Sequence, residues 1–256
     1  MKSNPVMILG LTLFAGWLAV LPAMAPARAE DAPANCEVPA YLLTSESSLP
    51  KVETAIVSER KLEILVVGSR SSSINASEAN AYPGRLQAML KEALPKVAVN
   101  VSVELQVKKT AEEVAGGLVK LVELKKPTLV IWQTGTYDAI RSIDPDDFRA
   151  GLTEGVVALQ NAGAEVVLMN LQYSPRTETM ISAPPYLDNM RVVAQEHNVP
   201  LFDRFAIMRH WSDAGDFDLT TTSHGVDLAK RVHDCLGRAL SKFVIDVAHV
   251  NPAQLN

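Results

Sequence analysis

Residues 62–68 read LEILVVG, an apolar run that ends in a glycine. Apart from Glu63 the run is continuous, which is typical of a strand that is buried on both faces, as in a parallel sheet. Later apolar segments predict further strands, and each is separated from the next by a segment with helical features. The predicted strands lie at residues 62–68, 97–107, 127–135, 164–170 and 199–203.

Helices are predicted between these strands. Thr110 and Glu113 match a T-x-x-E capping box, which opens a helix to about residue 125. Asp144, followed by a proline and two acids, starts another helix, which stops at Gly163. The predicted helices lie at residues 83–94, 110–125, 145–161, 185–197, 204–211 and 226–244. This alternation predicts a three-layer α/β/α sandwich with a parallel sheet of about five strands.

Ligands of such sheets bind outside the carboxyl ends of the strands. The polar segments that follow the strands are therefore the candidate site residues. They lie at residues 69–73, 108–110, 135–138 and 172–176, together with the loop before the last helix, which contains His224 and Asp227.

The N-terminal segment has the features of a secretory signal peptide. Lys2 is followed by an apolar run and then by an A-x-A exit at residues 27–29. We predict cleavage after Ala29, with Ala25 as the alternative site and a retained membrane anchor as the alternative interpretation. The mature protein is then exported, periplasmic or extracellular, without a membrane span. The chain divides into a signal peptide at 1–29, an N-terminal arm at 30–60, a domain at 61–246 and a tail at 247–256.

Composition and motifs exclude several classes of partner and cofactor. Removal of residues 1–29 takes away Lys2 and Arg28 and no acid, so the formal net charge changes from −5 to −7. An acidic chain disfavours nucleic acid and anionic membranes as partners. The glycine-rich motifs of nucleotide-binding proteins are absent from the sequence, and no His/Cys cluster has the spacing of a metal site. We therefore expect no cofactor and no metal.

Cys36 and Cys235 are the two cysteines of the chain. Export places them in a compartment that permits disulfides. We expect a bridge that ties the arm to the last helix, and two unpaired thiols are the alternative.

The segments around the strand ends resemble the conserved blocks of the SGNH/GDSL hydrolases, a family of flavodoxin-like α/β ester hydrolases. The resemblance covers about residues 36–243. The similar segments are ILVVGSRSSS at 64–73, LVIWQTGTYDAIR at 129–141, AGAEVVLMNLQYSP at 162–175, VPLFDRFAIMRHW at 199–211 and HGVDLAKRVHDCLGRAL at 224–240.

The first two blocks of that family are altered in this chain. The family places its nucleophilic serine third in a G-D-S or G-S-S motif after strand one. Here Gly68 and Ser69 are followed by Arg70, which stands at the nucleophile position. The glycine that the family uses as an oxyanion donor after strand two is missing from ELQVKKT at 104–110. Loss of one such donor costs on the order of 10²–10³ in rate.

The other two blocks are altered as well. In the G-x-N-D motif, which here starts at Gly135 and ends at Asp138, Tyr137 replaces the asparagine that serves as an oxyanion donor. The D-x-x-H motif before the last helix is replaced by His224 and Asp227, with the two groups exchanged. Four altered positions are hard to reconcile with the ordinary Ser-His-Asp mechanism.

Two functional interpretations remain open at this point. In one, Ser71, Ser72 or Ser73 acts as a shifted nucleophile, with His224 as the base and Asp227 or Asp138 orienting it. In the other, the site binds without catalysis, and Arg70, Lys108 and Tyr137 hold an anion or a sugar hydroxyl. A third, non-functional interpretation is that Arg70 forms an ion pair with Asp138 or Asp227 and only neutralises the negative charge of a pocket that has lost its catalytic serine.

The departures favour the second interpretation. We expect an exported SGNH/GDSL hydrolase-like protein without the usual esterase activity, which acts as a binding or accessory protein of the cell envelope. Its expected ligand is an acylated glycan or another small envelope molecule. An active ester or O-acyl hydrolase that uses a shifted serine with His224 is the alternative, and a purely structural envelope protein is a third class.

Overall fold

Five parallel strands form the centre of the molecule, in the order β2-β1-β3-β4-β5. The computed structural model describes residues 36–74, 78–220 and 225–255. The strands are β1 (Lys61–Gly68), β2 (Ala98–Leu105), β3 (Leu129–Gln133), β4 (Glu165–Met169) and β5 (Leu201–Phe202). Every residue of β3 is buried, whereas the edge strand β2 is partly exposed along its length. The most apolar segments of the sequence therefore form the inner strands β1, β3 and β4 of the sheet.

Helices connect the strands and cover the sheet. They are α1 (Pro50–Thr54), α2 (Tyr82–Ala93), α3 (Ala111–Lys125), α4 (Thr136–Ile140), α5 (Pro145–Asn161), α6 (Pro175–Met180), α7 (Pro184–Glu196), α8 (Arg204–Asp213) and α9 (Gly225–Val247). Helix α2 packs against α9, while α5 packs against both α3 and α7. The predicted α/β/α sandwich with five parallel strands is confirmed.

The helix starts follow the local signals in the sequence. The Thr110 hydroxyl accepts a hydrogen bond from the Glu113 backbone N–H at 3.3 Å, and the Glu113 carboxylate accepts one from the Thr110 N–H at 2.8 Å. This capping box satisfies two of the N–H groups that the first turn of α3 leaves without partners. These bonds, together with nearby Arg141, lower the pKa of Glu113. Asp144 caps α5 in the same way, through the Asp146 N–H at 2.9 Å.

The predicted N-terminal arm at 30–60, in which the sequence shows no sustained hydrophobic period, is more ordered in its described part than the sequence indicated. It contains α1, which continues as a π-helical turn at Ala55–Glu59. Leu49, Val52 and Ile56 from this segment are buried in the core. A five-residue helix is too short to show a hydrophobic period, and for that reason the pattern did not reveal it. The predicted signal peptide at 1–29 lies outside the described residues.

Among the residues that the structure describes, no helix combines the length and apolar character that a bilayer crossing requires.

Cys36 and Cys235 form a disulfide across a separation of 199 residues, with their Cα atoms 5.0 Å apart. The bridge attaches the N-terminal segment to α9, and Cys235 is fully buried. A second link joins the same segment to α8, because the Trp211 indole N–H donates to the Glu37 carbonyl at 2.9 Å. The start of the described chain is thereby fixed to two helices that border the carboxyl edge of the sheet.

The disulfide is expected to contribute substantially to stability. In the chain-entropy model, closing a loop of this length removes roughly 3–5 kcal/mol of freedom from the unfolded state. We expect the Cys36→Ser/Cys235→Ser double variant to lose about that much unfolding free energy in urea titrations. Reduction of the wild type is the control, since it should shift the wild-type midpoint to that of the variant and leave the variant unchanged. A loss below about 1 kcal/mol would contradict this expectation.

Candidate functional site

Polar residues from several strand ends meet at the carboxyl edge of the sheet. Ser69 follows β1, Gln133 is the last residue of β3, and Arg204 opens α8 directly after β5 and Asp203. Helix α9 closes the same region from the side. This is the location at which parallel α/β sheets bind their ligands.

Gln133 organises the serine-rich turn after β1. Its amide Nε2 donates to the Ser69 hydroxyl oxygen at 2.8 Å and to the Ser71 hydroxyl oxygen at 3.0 Å. Its Oε1 accepts from the Ser72 hydroxyl and, at 3.3 Å, from the Tyr82 hydroxyl. Both ends of the Gln133 amide are thus used, and the three hydroxyl groups are fixed in relation to one another. The turn itself is a single 3₁₀ turn at Arg70–Ser72.

Arg204 is the buried cation of this region, with 1% of its surface exposed. Its Nη1 donates to the Ser71 hydroxyl oxygen at 3.3 Å. Its Nε and Nη2 are buried and have no hydrogen-bond partner within the described part of the chain. Burial lowers the pKa of Arg204 to about 10, so the group remains charged at neutral pH. A buried charge without a partner is costly, because desolvation is not compensated.

The backbone around Arg204 is held in place by its neighbours. The Asp203 carboxylate caps α8 by accepting from the Ala206 N–H at 3.0 Å. Asn170, just after β4, donates to that carboxylate at 2.7 Å and accepts from the Phe205 N–H at 2.9 Å. These bonds fix the first turn of α8 against the end of β4, so the position of Arg204 is set by the scaffold.

His233, on α9, is the second ionisable group of the region. Its Nδ1 accepts a hydrogen bond from the Tyr82 backbone N–H at 2.9 Å, and its ring packs at a tilt against the Tyr82 ring. Because Nδ1 is an acceptor, the proton of the neutral ring resides on Nε2. Burial and the positive charge of Arg204 lower the pKa of His233 to about 4. The ring is therefore neutral at pH 7 and presents an N–H donor at Nε2.

A half-open cavity of about 170 Å³ lies between the turn after β1, α8 and α9. Its polar wall contains Ser71, Arg204 and His233. Its apolar wall contains Met208, Leu219, Leu228, Ala229, Val232 and Leu236. The remaining lining residues are Gln172, Tyr173, Ser174 and Gly225. The cavity lining thus combines a few hydrogen-bonding side chains with several aliphatic ones, a composition typical of small-molecule sites.

The three residues predicted to hold an anion, Arg70, Lys108 and Tyr137, do not meet at this cavity. Arg70 is exposed, and Lys108 is an exposed residue in the left-handed conformation, with φ 60°. Neither lines the cavity. Tyr137 lies under the guanidinium of Arg141 at 5.9 Å and borders a separate, much smaller cavity of about 20 Å³, which Ser69 also lines.

Gly135 and Asp138, from the third family block, serve the local fold. Gly135 has φ 91°, and a Cβ atom there would lie 2.6 Å from a Leu171 methyl carbon, so the position requires glycine. The buried Asp138 carboxylate accepts from the Ala111 N–H at 2.8 Å, at the start of α3. Burial raises the pKa of Asp138. One oxygen of Asp138 therefore supports a helix start, while its Oδ2 is buried and has no hydrogen-bond partner within the described residues.

Of the predicted His–Asp pair, Asp227 alone lies among the described residues. His224 lies outside the described residues, immediately before α9. Asp227 lies in the first turn of that helix, where its side chain is 88% exposed and bonds Lys230 at 3.1 Å. Asp227 does not line the cavity. Of the candidate serines, Ser71 lines it, whereas Ser72 is buried beneath it against Tyr82, at 3.1 Å.

Three residues of the site were missed by the reasoning from sequence: Gln133, Arg204 and His233. Two of them carried a signal. Gln133 is the single polar residue in an otherwise apolar strand, and Arg204 comes just after the last strand, at the edge where ligands bind. His233 had none, since it reaches the site only through the packing of α9 against α2.

The lowered pKa of His233 predicts that the unfolding free energy depends on pH. The unfolded chain takes up a proton near the ordinary value of 6.5, whereas the native ring does so only near 4. We expect the unfolding free energy to fall as the pH is lowered from about 6.5 to about 4, by up to roughly 1.4 kcal/mol per pH unit from this group. Urea titrations across that range should show a shallower slope for His233→Asn, whose amide oxygen still accepts from Tyr82. Other titrating groups, including Asp138, are common to both proteins and cancel in the difference. Identical slopes would contradict the assignment.

Comparison with known proteins gives one family match and several similar structures. Residues 35–250 match the model of the Non-GDSL lipase-like family. Comparison with curated protein sequences gives no match. A G-D-S-L family lipolytic protein from Desulfitobacterium hafniense is 19% identical with a TM-score of 0.55, covering 72% of this chain and 99% of its own.

Two esterase structures are similar in the same way. A variant of an acetyl xylan esterase from Geobacillus stearothermophilus is 18% identical with a TM-score of 0.58, covering 72% of this chain and 94% of its own. A two-domain esterase active on acetylated mannans is 16% identical with a TM-score of 0.64, covering 83% of this chain and 57% of its own. At such identities the likeness concerns the fold. The family match and the shared fold together establish that this chain belongs to the Non-GDSL lipase-like family of SGNH/GDSL-type hydrolase folds.

Proposed function

We propose that this protein binds a small acyl-containing ligand in the cavity between the β1 turn, α8 and α9, and does not hydrolyse esters there. The observation that carries the proposal is Arg204, a buried cation at the cavity wall whose Nε and Nη2 lack partners among the described residues. Ester hydrolysis needs a nucleophile and a base in contact. The described polar wall offers hydrogen-bond donors instead.

Ser71 is poorly suited to act as a nucleophile. Its oxygen accepts two N–H donors, from Gln133 at 3.0 Å and from Arg204 at 3.3 Å. A hydroxyl oxygen has two lone pairs, and both are engaged by these donors. Its closest described hydroxyl neighbour is Ser69 at 3.2 Å, which is no base at neutral pH. In the described part of the chain, no carboxylate or imidazole accepts the Ser71 proton.

His233 is equally unsuited to act as a general base. Its Nδ1 is occupied by the Tyr82 N–H, and its Nε2 carries the proton of the neutral ring. A pKa of about 4 also lies far below the operating pH at which a general base is most effective. His233 therefore acts as a donor.

The biological setting in this proposal is the cell envelope. The N-terminal features predict export, so the proposal locates the mature protein in the periplasm or outside the cell, and the acidic net charge suits partners other than nucleic acid. Two proteins of similar fold are an esterase active on acetylated mannans and an acetyl xylan esterase. An acylated glycan or another small envelope molecule is accordingly the proposed source of the acyl group.

The proposal is tested by measuring turnover directly. We expect the full-length mature protein to hydrolyse p-nitrophenyl acetate and p-nitrophenyl butyrate no faster than its Ser71→Ala, Ser72→Ala and His224→Ala variants do. We also expect no labelling by a serine-reactive fluorophosphonate. Turnover or labelling that disappears in Ser71→Ala or His224→Ala would show that the protein is a hydrolase with a shifted serine, and the binding proposal would fall.

The proposed role of Arg204 also predicts an effect on stability. A buried cation that waits for a ligand destabilises the unliganded protein, whereas a structural arginine stabilises it. We expect Arg204→Met to raise the unfolding free energy by about 2 kcal/mol in urea titrations without ligand.

Arg209→Met on the exposed face of the same helix is the matched control. Arg209 makes a 3.6 Å ion pair with Asp213, and both side chains are exposed. Its replacement should change the unfolding free energy by no more than about 0.5 kcal/mol. Destabilisation of Arg204→Met beyond 1 kcal/mol would mean that Arg204 supports the fold and not a ligand.

A further inference from the structure

The two unpartnered nitrogens of Arg204 are not a random pair. Nε and Nη2 lie along the same edge of the guanidinium plane, while Nη1, which donates to Ser71, lies on the other side. That edge presents two parallel N–H groups with the spacing of the two oxygens of a carboxylate. The donors that the described protein leaves unused are therefore the ones that a carboxylate uses best.

The rest of the polar wall agrees with an anionic ligand. His233 is neutral and, within the described residues, its Nε2–H makes no hydrogen bond. Ser71 accepts from both of its N–H partners and directs its own proton to the Ser69 oxygen, 3.2 Å away, from which an anion could draw it. The described lining contains no carboxylate, which would repel an anion.

The apolar wall and the size of the cavity limit the rest of the ligand. Leu228, Val232 and Leu236 lie on α9 at the spacing of one helix face, and Met208 faces them from α8. An engineered cavity of about 150 Å³ is known to hold one benzene molecule. The 170 Å³ here accommodates about six non-hydrogen atoms, which corresponds to a carboxylate with three or four carbons of aliphatic chain.

We propose that the cavity binds a short-chain monocarboxylate, whose two oxygens pair with Nε and Nη2 of Arg204 and whose chain packs against the apolar face of α9. Both nitrogens are buried in the structure, so the proposal includes a shift of the Arg204 side chain that turns this edge toward the cavity when the acid binds. This inference rests on the proposed non-hydrolytic function and deepens it by naming the ligand class. The ligand would be a free acid of about four carbons, the type of molecule that an ester hydrolase releases. A reaction that cleaves acyl esters must therefore supply it.

The test is calorimetric titration of the mature, oxidised protein at pH 7 with acetate, propionate, butyrate, valerate, hexanoate and octanoate. We expect affinity to rise about fourfold for each added methylene up to butyrate or valerate, because each buried methylene contributes a similar increment. Beyond that length the gain should stop, since the cavity is full. Butanamide and butan-1-ol, which have the same chain and no charge, should bind about 100-fold more weakly than butyrate.

Three variants separate the contacts. Arg204→Met should weaken butyrate about 100-fold, and Arg204→Lys, which keeps the charge but loses the two-pronged edge, should weaken it about tenfold. His233→Asn should weaken it several-fold while preserving the bond from Tyr82. Arg209→Met, the exposed control on α8, should bind butyrate like the wild type.

The outcomes that contradict the carboxylate inference differ from those that contradict the proposed non-hydrolytic function. Butanamide that binds as tightly as butyrate would overturn the carboxylate inference and leave non-hydrolytic binding intact. Equal butyrate affinity in wild type and Arg204→Met, or no binding of any chain length at 10 mM, would overturn it as well. Serine-dependent ester turnover would overturn the proposed function itself, whatever the titrations give.

Discussion

The site depends on one buried guanidinium. Arg204 is held by the first turn of α8 at the edge of the sheet, donates to Ser71, and finds no carboxylate among the described residues. Its field contributes to the depressed pKa of His233 and acts on the hydroxyl of Tyr82. A cation in that position makes a poor setting for an imidazole that must become protonated during acyl transfer. The same cation makes a good setting for an anion, and the whole interpretation of the cavity follows from this contrast.

The surrounding scaffold explains how a hydrolase fold accommodates the change. Gln133, at the end of β3, uses both ends of its amide to tie Ser69, Ser71 and Ser72 together. Networks of this kind fix hydroxyl groups in one arrangement, and a fully satisfied buried network is rigid. The turn that supplies the nucleophile in SGNH/GDSL hydrolases is therefore preserved in position, and here its Ser71 oxygen accepts a hydrogen bond from Arg204.

Much of the fold could be predicted from the sequence, whereas the site could be predicted only in part. The strands β1, β3 and β4 follow from apolar runs, and α3 and α5 follow from their caps, because these signals are local. The helix α1 was missed because five residues show no period. The candidate residues Arg70, Lys108 and Tyr137 were chosen because they follow strands, yet none of the three lines the cavity, and Arg70 and Lys108 are exposed. His233 lies more than two turns into α9, so only the packing of that helix brings it near Arg204.

The most direct test of the binding proposal is the crystal structure of the mature protein with butyrate bound. We predict electron density for the carboxylate at the Nε and Nη2 edge of Arg204, with both oxygens about 2.8 Å from nitrogen, and the chain against Leu228 and Val232. A carboxylate bound elsewhere, a cavity that stays without butyrate at saturating concentration, or an acyl group bonded to Ser71 after soaking with an ester would contradict it.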